Sequence, residues 1–192
     1  TDITAILLNF ALPMTPVQIL WVNLILAATL GLVLAFEPTE PGVMARPPRK
    51  AQAGLLTPFM VWRIGFVSVM FMAISLAVFF WALSQGRDIE TARTMVVNTL
   101  VVLEIFYLFN VRYLHMTSFT LTGVKGTGPV LAAIVVVAAG QLAFTYLPVM
   151  NRIFESRPLT LLDGIVIIAI GVLSLVVLEI EKHLLRDRFQ GE

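Results

Sequence analysis

The sequence predicts an all-α, polytopic transmembrane helix bundle forming one domain over residues 1–192. Three observations predict it. The chain is 58% hydrophobic and only 13% charged, about half the charged fraction of a soluble domain. Its apolar residues gather into five long runs and one short one, and a helix needs about 20 such residues to cross a bilayer. Two runs open on a proline just after a threonine, the placement that starts helices. Cysteine is absent, which excludes disulfides, thiolate chemistry and Cys-based metal sites. The two histidines, His115 and His183, fall near expected helix ends, which is no basis for a His-rich metal centre.

The first element, over residues 1–12, contains the short run Ile3 to Leu12. It is too short to span and reads as the second half of a helix, in a chain expected to be a piece of something longer. Pro13 ends it. Thr15, Pro16 and Gln18 make a capping box with proline at the first helical position, and the helix they start is expected over 16–36, where Glu37-Pro38 stops it. The segment Thr39 to Gly54, TEPGVMARPPRKAQAG, is a loop because its prolines favour extended backbone. Thr57-Pro58 repeats the start signal for a helix over 58–84.

SQGRDIE is a short connection, and the next helix is expected over 91–111. A loop containing Gly123, Gly126 and Gly128 follows. Pro129 opens a helix over 129–147, and MNRIFESRP reads as interfacial. Thr160 with Asp163 is a further capping pair, starting the last helix over 161–185.

Lys and Arg divide unequally between alternate loops. One side holds Arg46, Arg49, Lys50, Arg63, Arg112, Lys125, Lys182, Arg186 and Arg188; the other holds Arg87, Arg93, Arg152 and Arg157. The richer side is expected in the cytoplasm, together with the proline-rich loop, the glycine loop and the C-terminus.

The most informative single residue is Glu104, within MVVNTLVVLEIFYLF. A carboxylate at the membrane midplane costs about 2.5–3.5 kcal/mol on insertion scales and usually marks an ion or proton site, or a buried partner. Glu104, Tyr107 and Asn110 follow one another at turns of about 60° on a helix, a slowly drifting polar stripe and a possible polar pathway. The competing reading is an acid that hydrogen-bonds helices together. Asn23, in WVNLIL, offers a carbonyl that could ligate a cation or bond a neighbouring helix.

Asn9, Asn98, Gln141 and Thr145 read as packing residues. Gly31, Gly65, Gly140 and Gly171 are expected to permit close helix approach. Glu179 and Glu181 are expected to pair locally with Lys182 and Arg186. RPPRK serves equally as a plain basic loop and as a contact for lipid headgroups or a cytoplasmic domain. The sequence contains no nucleophile triad and no glycine-rich phosphate loop.

At LPMTPVQILWVNLILAATLGLVLAFEPTEPGVMARPPR the sequence resembles the C-terminal membrane region of P2-type cation-transporting ATPases, the calcium-pump-like family. LVVLEIFYLFN, LAFTYLPVMNRIF and LEIEKHLLR extend the resemblance over essentially the whole chain. It implies a partial fifth helix followed by helices six to ten of such a pump. It implies ion ligation by Asn23 and Glu104, and a bacterial-type parent in the inner membrane that uses ATP and Mg. The partners it implies are the lipid bilayer, the transported cation, and the N-terminal helices and cytoplasmic domains of the parent, with no nucleic acid. The calcium pumps carry a Thr-Asp pair three and four residues after the Asn, where this chain has Leu26 and Ala27, so fewer bound ions are expected. A structural or interaction module without pumping is the alternative reading.

Overall fold

The computed structural model describes residues 12–27, 58–112 and 128–189, all helix and connection with no strand among them. The half-helix before Leu12, the proline-rich loop, most of the glycine loop, and Asn9 and Gly31 lie outside the described residues. Helix α1 is Pro16–Ile25, α2 Pro58–Ser84, α3 Ile89–Arg112, α4 Gly128–Tyr146, α5 Pro148–Phe154 and α6 Leu161–Phe189. Of these, α2, α3 and α6 are long and apolar enough to cross a membrane; α4 and α5 together make a fourth candidate, bent by 81° at the break between them.

Local chemistry sets the ends. At α1 both arms of the capping box form: the Gln18 amide N–H donates to Thr15 Oγ1 at 3.3 Å and the Thr15 N–H to Gln18 Oε1 at 3.1 Å. Helix α2 closes with Gly86, whose φ of 74° is the left-handed value that favours glycine. There the Arg87 N–H reaches the Ala82 carbonyl at 3.2 Å and the Gly86 N–H reaches that of Leu83 at 3.0 Å, which satisfies carbonyls the helix would otherwise leave open.

The connection after α2 is shorter than SQGRDIE suggested. Asp88 caps α3, accepting from the Thr91 N–H at 3.1 Å and the Thr91 hydroxyl at 2.7 Å, so α3 starts at Ile89 and not near Thr91. At α6, Thr160 and Asp163 form the expected reciprocal cap, and the helix runs on to Phe189, past the expected end at 185. The stretch read as interfacial contains a real helix, α5. Pro148 begins it, and Glu155, at φ 52°, ends it.

Helix α3 is the centre of the bundle. Half of its span is buried, against 28% for α2 and for α6, and its most extensive contacts are with those two helices. Ala92, Met95, Val96 and Val97 are closed from solvent and meet Val78, Phe79 and Ala82 of α2, Ile167 of α6 and Phe144 of α4. Trp21 of α1 stacks on Phe144, 5.6 Å between ring centres, and lies 5.1 Å from the ring of Phe154. Gln18 donates to the Phe154 carbonyl at 2.9 Å. These contacts dock α1 onto the corner made by α4 and α5.

The intramembrane amides act as packing groups. Asn98 and Thr145 bond each other at 3.1 and 3.2 Å across α3 and α4, and Gln141 accepts from the Trp21 indole at 3.3 Å. The glycines divide. A β-carbon on Gly171 would meet Val102 at 2.5 Å and the Phe106 ring at 2.6 Å, and one on Gly140 would make ordinary contact with Ile25 at 3.6 Å. Among the described residues nothing stands within 4 Å of a β-carbon on Gly65, so none of them makes a close approach there.

Candidate ion-binding site

Helix geometry locates Glu104 against its neighbours. Each residue turns by about 100°, so Val102 and Phe106 both lie within about 20° of the direction opposite Glu104. Those two residues receive Gly171 of α6. On the other side, Val101 and Leu108 lie within about 60° of Glu104. Val101 packs with Ile25 and Val137, and Leu108 with Ala133 and Leu26, of α1 and α4. Tyr107, about 60° away in the other sense, sets its ring edge-on to Phe71 of α2, 6.0 Å between centres.

Glu104 therefore points away from α6, into the angle between α2 and the α1–α4 pair. It is half-buried, and among the described residues no hydrogen bond or ion pair reaches its carboxylate.

Asn23 lies on α1, one turn before Leu26, the residue that touches the Leu108 cluster. Its own face, with Leu20, Leu24 and Ala27, is exposed. The structure brings the helices of Asn23 and Glu104 together without joining the two side chains. In bilayer or protein interior a bare amide is costly to leave without a partner. Leu26 and Ala27 add no side-chain oxygen to the face around Asn23.

Asn110 does not belong with Glu104. It turns about 120° from it and sits closed from solvent in a charged cluster. Its carbonyl oxygen accepts from Arg63 Nη2 of α2, and its amide nitrogen donates to Glu179 Oε2 of α6 at 3.0 Å. Arg63 also pairs with Glu181 at 3.4 Å, and the Trp62 indole donates to the same carboxylate at 3.3 Å. Glu179 is 3.8 Å from Lys182. The expected local pairing thus holds for Glu179, while Glu181 is drawn to Arg63, far away in sequence, because both are buried and neither charge is tolerable there alone.

The opposite end of the bundle holds its own pairs, Arg87 with Asp163 at 3.0 Å and Arg157 with Glu90 at 2.5 Å. Arg63 and Lys182 at one end, and Arg87 and Arg157 at the other, fall as the two loop groups in the sequence do. Among the described residues no group of three or more acidic or histidine side chains is gathered as a metal cluster.

The family described as "Cation transporting ATPase, C-terminus" matches residues 11–184. This chain belongs to that family. The ATPase region is similar to the "Probable cation-transporting ATPase F" of Mycobacterium tuberculosis, 38% identical over 98% of this chain and 21% of that protein. It is also similar to the "Cation-transporting ATPase pma1" of Synechocystis, 32% identical over 83% of this chain and 18% of that one. The human "Calcium-transporting ATPase type 2C member 1" is 27% identical over 96% of this chain and 20% of its own length. The chain spans about a fifth of the curated relatives it matches.

Within this ATPase region the sequence pattern singles out Glu104 and Asn23, expects only local pairing for Glu181, and gives Arg63 and Trp62 no role in a site. Arg63 carries the same signal as Glu104, a charge inside an apolar run, but stands close to the run's start, where a basic residue is ordinary.

Proposed function

We propose that this chain is the C-terminal membrane part of an ATP-driven cation pump, in which Glu104 and Asn23 supply oxygen ligands to the transported ion. The observation that carries the reading is the placement of Glu104. It is the acid at mid-span of the most buried of the described spans, it is turned away from the close α3–α6 contact, and among the described residues no cation pairs with it. A carboxylate held this way attracts a cation, and the amide carbonyl of Asn23 is a second hard ligand of the kind such ions take. Tyr107 is the polar group beside Glu104 that could serve a pathway, whereas Asn110 is committed to Arg63 and Glu179. With Leu26 and Ala27 contributing nothing, the site holds fewer ions than one with an added acid.

ATP, Mg and the phosphorylated group belong, in this reading, to other parts of the parent. The Arg63–Lys182 end faces the cytoplasm of a bacterial inner membrane. The experiment is cation-stimulated ATP hydrolysis by the full-length parent with Asn23→Ala. The reading expects a higher cation concentration for half-maximal rate with little change in protein yield. A non-pumping structural module expects no cation-stimulated hydrolysis in the unmodified parent.

A further inference from the structure

Glu104 is useful as a ligand only if α3 presents it at a fixed angle, and α3 is pinned at two places on its far side. One is the Gly171 contact at Val102 and Phe106. The other lies about 9 Å further along the helix axis, at Asn110. There a single guanidinium, 4% exposed, holds the Asn110 oxygen and the Glu181 carboxylate together, and Glu179 holds the Asn110 nitrogen. The three elements meeting at this point are α2, α3 and α6. A planar guanidinium with several fixed donors sets relative orientation in a way that a packed aliphatic side chain does not.

We infer that Arg63 is a positioning residue for the ion site: by clamping Asn110 to Glu181 it sets the rotation of α3 about its axis and so the direction of Glu104. This inference rests on the assignment of Glu104 as an ion ligand. Arg63 does not touch the ion. Its effect on affinity passes through the angle of α3.

The test uses the full-length pump in proteoliposomes, with whichever of Ca²⁺, Mn²⁺ or Na⁺ stimulates the unmodified protein. The variants are Asn110→Leu, the double replacement Arg63→Met with Glu181→Met, and Glu104→Gln for comparison. Replacing both members of a buried ion pair by apolar residues of similar size leaves no stranded charge and is commonly neutral or favourable for folding. The double variant therefore separates stability from position. The inference expects the half-saturating cation concentration to rise by about tenfold, as when the outer supports of ion ligands are removed, in both the double variant and Asn110→Leu. The maximal rate and the melting temperature of the double variant should remain close to those of the unmodified protein.

Unchanged cation affinity in the folded double variant overturns the inference. If that occurs while Glu104→Gln abolishes cation dependence, the ion-site assignment stands and only the positioning role is lost. If Glu104→Gln is silent as well, the assignment itself fails. Should the double variant not fold, Asn110→Leu decides alone: it removes the α3 end of the clamp without stranding a charge, and normal affinity there is contradictory.

Discussion

Gly171 of α6 lies so close to Phe106 of α3 that a β-carbon added to the glycine would stand 2.6 Å from the ring. Glu104, two residues before Phe106, points the other way. The close contact and the carboxylate are thus on opposite sides of one helix.

Gly171→Leu should lower stability by about 1–3 kcal/mol, the range for forcing bulk into a packed contact. Gly65→Leu, made into open space, should be close to neutral. Thermal unfolding of the detergent-solubilised protein checks both, and equal effects at the two sites would contradict the packing described.

Asn98 and Thr145 should show a direct coupling. A double-mutant cycle with Asn98→Leu and Thr145→Val is expected to give about 0.6 kcal/mol and not more than about 1.7 kcal/mol, as for hydrogen bonds between membrane helices. Additive effects would mean that the 3.1 Å bond between α3 and α4 contributes nothing to holding them.

Asp88, outside the membrane span, supplies a pH signature. Its hydrogen bond from the Thr91 hydroxyl, opposed by modest burial and aided by further bonds and by Arg157, holds the carboxyl below its ordinary value of 3.8. A depressed acid stabilises the fold above its unfolded value and loses that contribution as pH falls through the folded one. Asp88→Ala should therefore cost about 1 kcal/mol at neutral pH, a typical N-cap loss. Stability measured down a pH series should show the gap to the unmodified protein closing only below pH 3.8.

The helix starts were legible in the sequence because a cap is a local device. Thr15 with Gln18 and Thr160 with Asp163 each lie within one turn, and nothing distant is needed to form them. The Asp88 cap was missed by two residues for want of the same reading of Asp followed by Thr. The polar stripe was only partly legible. Spacing along α3 gives the angles between Glu104, Tyr107 and Asn110 but not which neighbour each angle meets, so the Asn110 contact with Arg63 and Glu179 depended on how α2 and α6 dock. Gly65 and Gly171 show the same limit, since one glycine faces open space and the other a ring. The face of α1 carrying Asn23 is exposed, and what it meets is not a matter of spacing along the helix.

Orientation is open to a direct labelling test. In this cysteine-free sequence, single cysteines at Lys50 and Lys125 should react with an impermeant thiol reagent from the cytoplasmic side, and one at Glu155 from the other. Reaction of all three from one side would contradict the proposed topology.

The central claim is that Glu104 binds the transported cation, and the most direct measurement is equilibrium cation binding to the purified full-length parent carrying Glu104→Gln. This change keeps the shape and most hydrogen bonding while removing the charge. The account predicts near-normal folding, a loss of cation binding at concentrations that saturate the unmodified protein, and a matching loss of cation-stimulated ATP hydrolysis. A well-folded Glu104→Gln protein that binds the cation with unchanged affinity and stoichiometry would contradict it.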